Sequence, residues 1–327
     1  MKVGLFVTLE WETAGDDGSH IPHMLEQVKT ARDSGFSSLW LPQHFVSGPK
    51  MRQLSTSPIL GLLAGIAPGM TLGTGVLLLP MLNPVLLAEE AATIDHLTGG
   101  NFILGVGLGY RDAEFQAMGV ERKSRVPRFR EYIEVMRRLW TEERVTFHGK
   151  YLHLDDIGLS LRPKNIPIWI GSAVDDGVKR AAEIGDAWIS AGAMSRDDLQ
   201  RWWTIFHAAR IARGKSLDYP RQVARECFCG PDMKTAIALA AGPLSAKYAR
   251  YAGNGWGAFD PSSADAFAGF ARDRFVVGDE AFVRDELQRY RDEQGATEFR
   301  FRMSWPGVSQ DDVLASIRRV GRIAAGL

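Results

Sequence analysis

The apolar positions along the chain fall into short, near-continuous runs separated by stretches with helical spacing. Apolar runs bounded by turn residues read as strands buried on both faces. Apolar residues three or four apart read as one face of a helix. Lys2–Leu9 is a run of the first kind. Pro22–Ser34 is of the second, with Met24, Val28 and Ala31 on one face and Gly35 as its stop. The alternation continues through strands at Ser38–Leu41, Thr71–Leu79, Phe102–Gly107, Pro167–Ile170, Ala187–Ser190, Gln222–Cys229 and Glu298–Met303. Helices are expected at Pro58–Ala67, Pro84–Leu97, Arg111–Met118, Arg125–Trp140, Asp175–Ile184 and Arg196–Arg213, then at Lys234–Ala241, Glu280–Gln294 and Asp311–Ala324. Val145–Leu154 reads as a small hairpin turned at Gly149-Lys150. Gly242–Asp273, rich in Gly, Ala and aromatic residues, reads as an inserted excursion.

Strand and helix in strict alternation predict one α/β domain over residues 1–327, a (β/α)8 TIM barrel with an insertion near residues 242–273. A doubly wound open sheet is the alternative. Lys and Arg number 39 against 39 Asp and Glu, so the formal charge is zero. That balance gives no electrostatic footprint for nucleic acid or an anionic membrane. The two cysteines, Cys227 and Cys229, are alternate residues of one expected strand and so share a face, a poor geometry for a mutual disulfide. They are too few for a Cys-rich zinc site. No apolar run reaches the ~18 residues of a spanning helix, and the first apolar segment is too short for a signal-peptide core. The expected setting is cytoplasmic and reducing.

Several motifs have both a chemical and a plain reading. Arg213-Gly214-Lys215-Ser216 resembles the end of a phosphate-binding loop, but Ala209 stands where its first glycine belongs, so that reading is rejected. His20-Ile21-Pro22-His23 offers two metal ligands, yet Pro22 favours a turn over a helical pair and no carboxylate stands at ligand spacing. Gly105-Val106-Gly107-Leu108-Gly109 follows a strand and either admits a ligand to the backbone or makes a tight turn. Gly171-Ser172-Ala173 precedes a helix whose N-terminus suits a phosphate, unless Asp175 and Asp176 simply cap it. Gly73-Thr74-Gly75-Val76 places glycines inside a strand, which marks a bulge or a close approach. Gln43-His44 ends the second strand, at the rim where barrel enzymes keep their active sites.

Taken in order, these segments carry a resemblance. Leu72-Gly73-Thr74-Gly75-Val76-Leu77-Leu78-Leu79-Pro80-Met81-Leu82-Asn83-Pro84 and the following Ala88–Phe102 resemble the third-strand signature of the bacterial luciferase-like flavin oxidoreductases. Gly105–Phe115 is similar to their fourth, Pro167–Ser172 with Gly185–Trp188 to their fifth and sixth, and Ser304-Trp305-Pro306-Gly307 to the C-terminal signature of one branch. The resemblance covers nearly the whole chain and implies a (β/α)8 barrel that binds reduced FMN. It places a cis peptide at Gly75-Val76, next to Thr74, against the flavin ring. It puts Gly171, Ser172 and Ala173 at the phosphate, and Gly107, Leu108, Gly109 and Tyr110 along the ribityl chain. It sets His44 on the reactive side of the ring as acid or base.

This chain also departs from the family pattern. Pro42 and Gln43 stand where luciferases have an acidic residue and a His. Leu108 stands at the phosphate-binding arginine, with Arg111 nearby as a substitute. The leading expectation is a two-component monooxygenase acting on a small organic substrate, with reduced FMN supplied by a separate flavin reductase. One alternative is hydride transfer by an 8-hydroxy-5-deazaflavin coenzyme, for whose acidic tail Arg122, Lys123 and Arg125 are candidates. The other is a non-catalytic flavin-binding protein. The resemblance implies a homodimer or higher oligomer. Tyr248, Tyr251, Trp256 and Phe259 either cover an apolar substrate or pack the excursion down. Arg300 and Arg302 fall either near the site or in a layer of the barrel.

Overall fold

Each apolar run pairs in parallel with its neighbours, because the helix after each strand returns the chain to the end where it started. The computed structural model describes residues 1–252 and 269–327. Its main sheet has nine strands in one path: β1 (Lys2–Phe6), β2 (Ser38–Leu41), β3 (Thr71–Thr74), β4 (Phe102–Gly107), β5 (Ile168–Gly171), β6 (Ala187–Ile189), β7 (Gln222–Cys229), β8 (Phe275–Gly278) and β9 (Glu298–Arg302). Their spatial order is β6-β5-β4-β3-β2-β1-β9-β7-β8. The chain's first and last strands lie side by side at its centre, with Gly4 opposite Arg300.

The sheet curls, and its interior is lined by Phe6, Trp40, Trp169, Ala187 and Ile189. Trp40 and Trp169 pack at 5.3 Å between ring centres, and the Trp40 indole donates to the Ser38 hydroxyl at 2.9 Å, so the buried N–H is paired. The curl brings β6 beside β7 through Ser190. Its hydroxyl donates to the Gln222 carbonyl at 3.2 Å and accepts from the Ala224 amide at 3.1 Å. The outer face carries α1 (His20–Asp33), α2 (Thr56–Ile66), α3 (Pro84–Leu97), α4 (Asp112–Ala117), α5 (Arg125–Thr141), α6 (Asp175–Ile184), α7 (Arg196–Ala212), α8 (Met233–Ala252), α9 (Glu280–Gln294) and α10 (Gln310–Ala325). Their starts are built locally: Asn83 accepts from the amides of Val85 and Leu86, and Pro84 follows it in the first turn.

The structure corrects four expectations. The strand expected over Thr71–Leu79 is two pieces, β3 and Leu77–Leu78, with a cis Gly75-Val76 peptide between them. The expected turn at His20–His23 is the first turn of α1, where Pro22 forfeits no helical hydrogen bond; His20 stacks on Trp11 at 5.0 Å. The helix expected at Lys234–Ala241 runs through Gly242 and Pro243 to Ala252, so the first part of the expected excursion is helix. Between the expected excursion and α9 stands a strand absent from the expected elements, β8, paired in parallel to β7. Trp256, Phe259 and the Tyr251 side chain lie outside the described residues. A ribbon of Glu10–Glu12 with Met51–Gln53 was also unforeseen. Cys227 and Cys229 are both free and buried; burial pushes the Cys229 thiol up to about 12. Among the described residues no helix is long and apolar enough to cross a membrane, and no three His, Cys, Asp or Glu side chains are grouped to hold a metal.

Candidate active site

Strands β1–β6 are buried along their length and give way to half-buried backbone at their C-terminal ends, at Gly75-Val76, Leu108-Gly109-Tyr110 and Gly171-Ser172-Ala173. The rim holds His44, three residues past β2. Its Nδ1 lies 2.8 Å from Oε1 of Glu114 on α4. The His44 side chain is 22% exposed and that of Glu114 is 1% exposed. The same Oε1 accepts the Phe45 amide at 3.0 Å, and the Arg111 guanidinium stands 3.9 Å away. Burial works against the Glu114 charge, but the bonds from His44 and Phe45, helped by Arg111, hold its carboxyl below the ordinary carboxylate range. An ionised Glu114 can only accept, so Nδ1 carries the hydrogen and Nε2 is left toward the rim. The Tyr110 ring meets the His44 ring edge-on at 6.0 Å.

Several predicted site residues do different work. Thr74 is fully buried, and its hydroxyl donates to the Gly105 carbonyl at 2.7 Å and accepts the Gly105 amide at 2.8 Å, locking β3 to β4. Gly107 and Gly171 leave room for Val76: a side chain on Gly107 would meet its Cγ2 at 2.6 Å, and one on Gly171 its Cγ1 at 2.8 Å. These glycines therefore seat the Val76 side chain between β4 and β5. Gln43 accepts the Leu78 amide at 2.9 Å and braces the same segment. Arg111 stays beside Tyr110 and Glu114.

At α6 the structure gives Asp175 a partner away from the helix end. Asp175 does not cap the helix; its carboxylate accepts from Arg201 at 2.5 Å and from the Trp202 indole at 3.0 Å. Val174 at the N-cap supplies no side-chain bond, so the Asp175 and Asp176 amides keep their donor capacity, while the Gly177 amide bonds the Val174 carbonyl at 3.0 Å and the Ser172 hydroxyl meets the Val174 backbone at 3.3 Å. Two guanidiniums flank this corner. Arg125 opens α5 and Arg180 lies one turn into α6; burial, with Arg122 and Arg130 respectively, pushes both below the usual arginine value. Among the described residues neither has a carboxylate within ion-pair distance, and Nε of Arg180 is buried without a partner.

Across the rim, Glu226 of β7 is buried and accepts from Lys247, from the Tyr248 hydroxyl at 2.9 Å and from the Trp305 indole at 2.5 Å. Burial opposes its charge, yet Lys247 and Arg302 hold its carboxyl below the usual range. Tyr248 thus packs α8 down. Arg302 lies over the Phe6 ring at 4.3 Å, and Arg300 is inside the curl. Sequence reading missed Glu114, Arg180 and Glu226 as site residues. The signal for Glu114 was its place in a short helix right after the glycine-rich strand end. For Glu226 it was a carboxylate beside Arg225 inside a fully buried strand.

The curled parallel sheet defines an α/β protein, and the His–Glu pair on the glycine-bordered rim at the strand C-termini makes that rim its candidate small-molecule site. The chain belongs to the luciferase-like monooxygenase family, whose model matches residues 1–298. It is 30% identical over 229 residues to a 4-hydroxyprotoasukamycin monooxygenase of Streptomyces nodosus subsp. asukaensis, covering 67% of this chain and 61% of that protein. It is 34% identical over 175 residues to an F420-dependent glucose-6-phosphate dehydrogenase of Kineococcus radiotolerans, covering 51% of each. The chain thus spans between half and two thirds of the length of these relatives. Its fold matches the oxygenating constituent of 3,6-diketocamphane monooxygenase of Pseudomonas putida, solved with FMN, at a TM-score of 0.79 and 18% identity over 100% of this chain and 98% of that one.

Proposed function

We propose that the protein is an oxidoreductase that uses reduced FMN and oxygen to oxygenate a small organic substrate, the reduced flavin coming from a separate reductase. The curled sheet is, in this reading, a closed (β/α)8 barrel of β1–β7 and β9, joined at Ser190, with the site on its C-terminal rim. One observation carries the reading: His44, past the end of β2, is held at Nδ1 by a buried, ionised Glu114, with the half-buried Tyr110 ring edge-on to the imidazole at 6.0 Å. The residues present fit an FMN. Its ring has the half-buried backbone of Gly75-Val76 to lie on. Its phosphate has Ser172, the first turn of α6 and the unpaired guanidiniums of Arg125 and Arg180. Arg111, engaged at Glu114, is not needed for that charge.

Bound reduced flavin supplies the two electrons that activate oxygen. The chain does the rest. Val76 and Tyr110 orient the ring and exclude water from its face. His44 holds a proton at Nε2 when charged and accepts one there when neutral, while Glu114 keeps the imidazole in one tautomer and stabilises its cation.

A second reading, hydride transfer by a deazaflavin coenzyme, draws on the same corner, where Arg122 and Arg130, paired with Asp112 at 2.8 Å and Glu183 at 2.6 Å, stand near Arg125 and Arg180. Anaerobic titration of apoprotein with reduced FMN and, in parallel, with the 8-hydroxy-5-deazaflavin coenzyme separates the two. Tight FMN binding followed by a transient flavin absorbance and oxygen uptake is the expected result. Preference for the deazaflavin with no response to oxygen would move the protein to hydride transfer.

A further inference from the structure

The interior of the curl holds a guanidinium with no carboxylate beside it. Arg300 projects inward from β9 and is 6% exposed. Its Nη2 donates to the Ser190 carbonyl at 3.0 Å, while Nη1 is buried with no hydrogen-bond partner among the described residues. The rings of Phe6 and Trp40 stand 5.2 and 5.6 Å from the guanidinium carbon and offset only part of the burial cost. Nη1 occupies the space that a side chain on Gly75 would need. The charge therefore sits directly beneath the Gly75-Val76 peptide, on the interior side of the surface to which the ring is assigned.

The other charged groups nearby do not neutralise it. Arg302 has the same sign and lies two residues further along the same strand face. Glu298, two residues back, is pushed up to about 7 by burial and so is only part-charged near neutrality. Glu226 is committed to Lys247, Tyr248 and Trp305. Burial and Arg302 push Arg300 down to about 9, which leaves it charged at neutral pH.

A fixed cation under a binding surface favours whichever state of the ligand places more negative charge on that surface. We propose that Arg300, acting through the Gly75-Val76 peptide, makes the site prefer the anionic reduced flavin ring over the neutral oxidised ring. It is a positioning charge and touches no reacting atom. This rests on the FMN reading above.

The test measures dissociation constants of oxidised and reduced FMN, anaerobically and near pH 7, for the wild type, Arg300→Gln and Arg300→Lys, with the midpoint potential of bound FMN. Arg300→Gln should lose about tenfold of the reduced-over-oxidised preference, a fall of about 30 mV for a two-electron couple. Arg300→Lys should keep most of it. A general loss of folding weakens both states and leaves their ratio alone. Should Arg300→Gln not fold, the wild type still decides: its bound reduced FMN should show the anionic absorbance at pH values where free reduced FMN has gained its proton. An unchanged ratio in Arg300→Gln, or a neutral bound form in the wild type, overturns the proposal and leaves the FMN reading standing. No binding of FMN in either state by the wild type overturns that reading and this proposal with it.

Discussion

His44 and Glu114 are 70 residues apart in sequence and 2.8 Å apart in space, Nδ1 to Oε1. The pair joins the end of β2 to α4, and only one of its two members reaches solvent. If His44 moves a proton, His44→Ala should cut product formation by about 100-fold or more, the usual span for a positioned acid or base. Reduced FMN affinity should stay within about threefold. Glu114→Gln should cost less, about tenfold, because the amide lets the imidazole take either tautomer. Steady-state turnover and flavin titration check both. Unchanged turnover in His44→Ala would remove His44 from the chemistry.

Glu298 should make the protein less stable as pH rises. Burial lifts its folded value to about 7, against ~4.3 for an unfolded glutamate, despite the opposing charges of Lys2 and Arg300. Between those limits the folded state binds more protons than the unfolded one, so the unfolding free energy falls as pH climbs from about 4 to 7 and is flat beyond. Glu298→Gln removes that slope. It should raise stability at pH 8 by on the order of 1–3 kcal/mol and change little at pH 4. Denaturant unfolding at the two pH values measures it; equal gains at both would refute the assignment.

Arg125 and Arg180 should matter for a phosphate and not for a ring. Neither has a carboxylate partner among the described residues, and Arg180, on α6, is near enough to Arg125 to feel its charge. Arg180→Met should weaken reduced FMN binding by about 10- to 100-fold, in line with loss of a charge-assisted bond from a partly buried site. Riboflavin, which lacks the phosphate, should bind the variant and the wild type alike. Equal losses for both ligands would show that Arg180 acts through the fold.

Much of this molecule was legible in the chain because its strands are buried on both faces. The strands expected at Phe102–Gly107 and Gln222–Cys229 have the same bounds in sequence and structure. The failures have local causes. Pro22 reads as a turn, yet a first helical turn accommodates it. Gly242-Pro243 reads as a break, yet α8 passes through it while Tyr248 and Lys247 anchor its end to Glu226. The site was half legible. His44 stands at a strand end and is conspicuous. Glu114 is one of many helical glutamates until the fold brings it to His44, and no pattern within α4 reveals that pairing.

The glycines at positions 107 and 171 make the sharpest test, because both were expected to border the ligand and both leave room for the Val76 side chain. Gly107→Ala would place a methyl group 2.6 Å from Val76 Cγ2. On its other side Val76 faces Gly171, where an added side chain would meet Cγ1 at 2.8 Å, so it has little room to retreat toward β5. Overpacking of this kind costs typically 1–3 kcal/mol and shifts the backbone. The predicted outcome is a destabilised protein that also binds reduced FMN about tenfold more weakly, since the displaced backbone is the rim itself. Val76→Ala alone should cost less stability, leaving a small gap at a half-buried position. Combined, the two changes should restore much of the loss, giving a coupling of about 1 kcal/mol or more in a double-mutant cycle. Strict additivity would mean that Gly107 is required for another reason, such as direct approach of the ligand to its backbone.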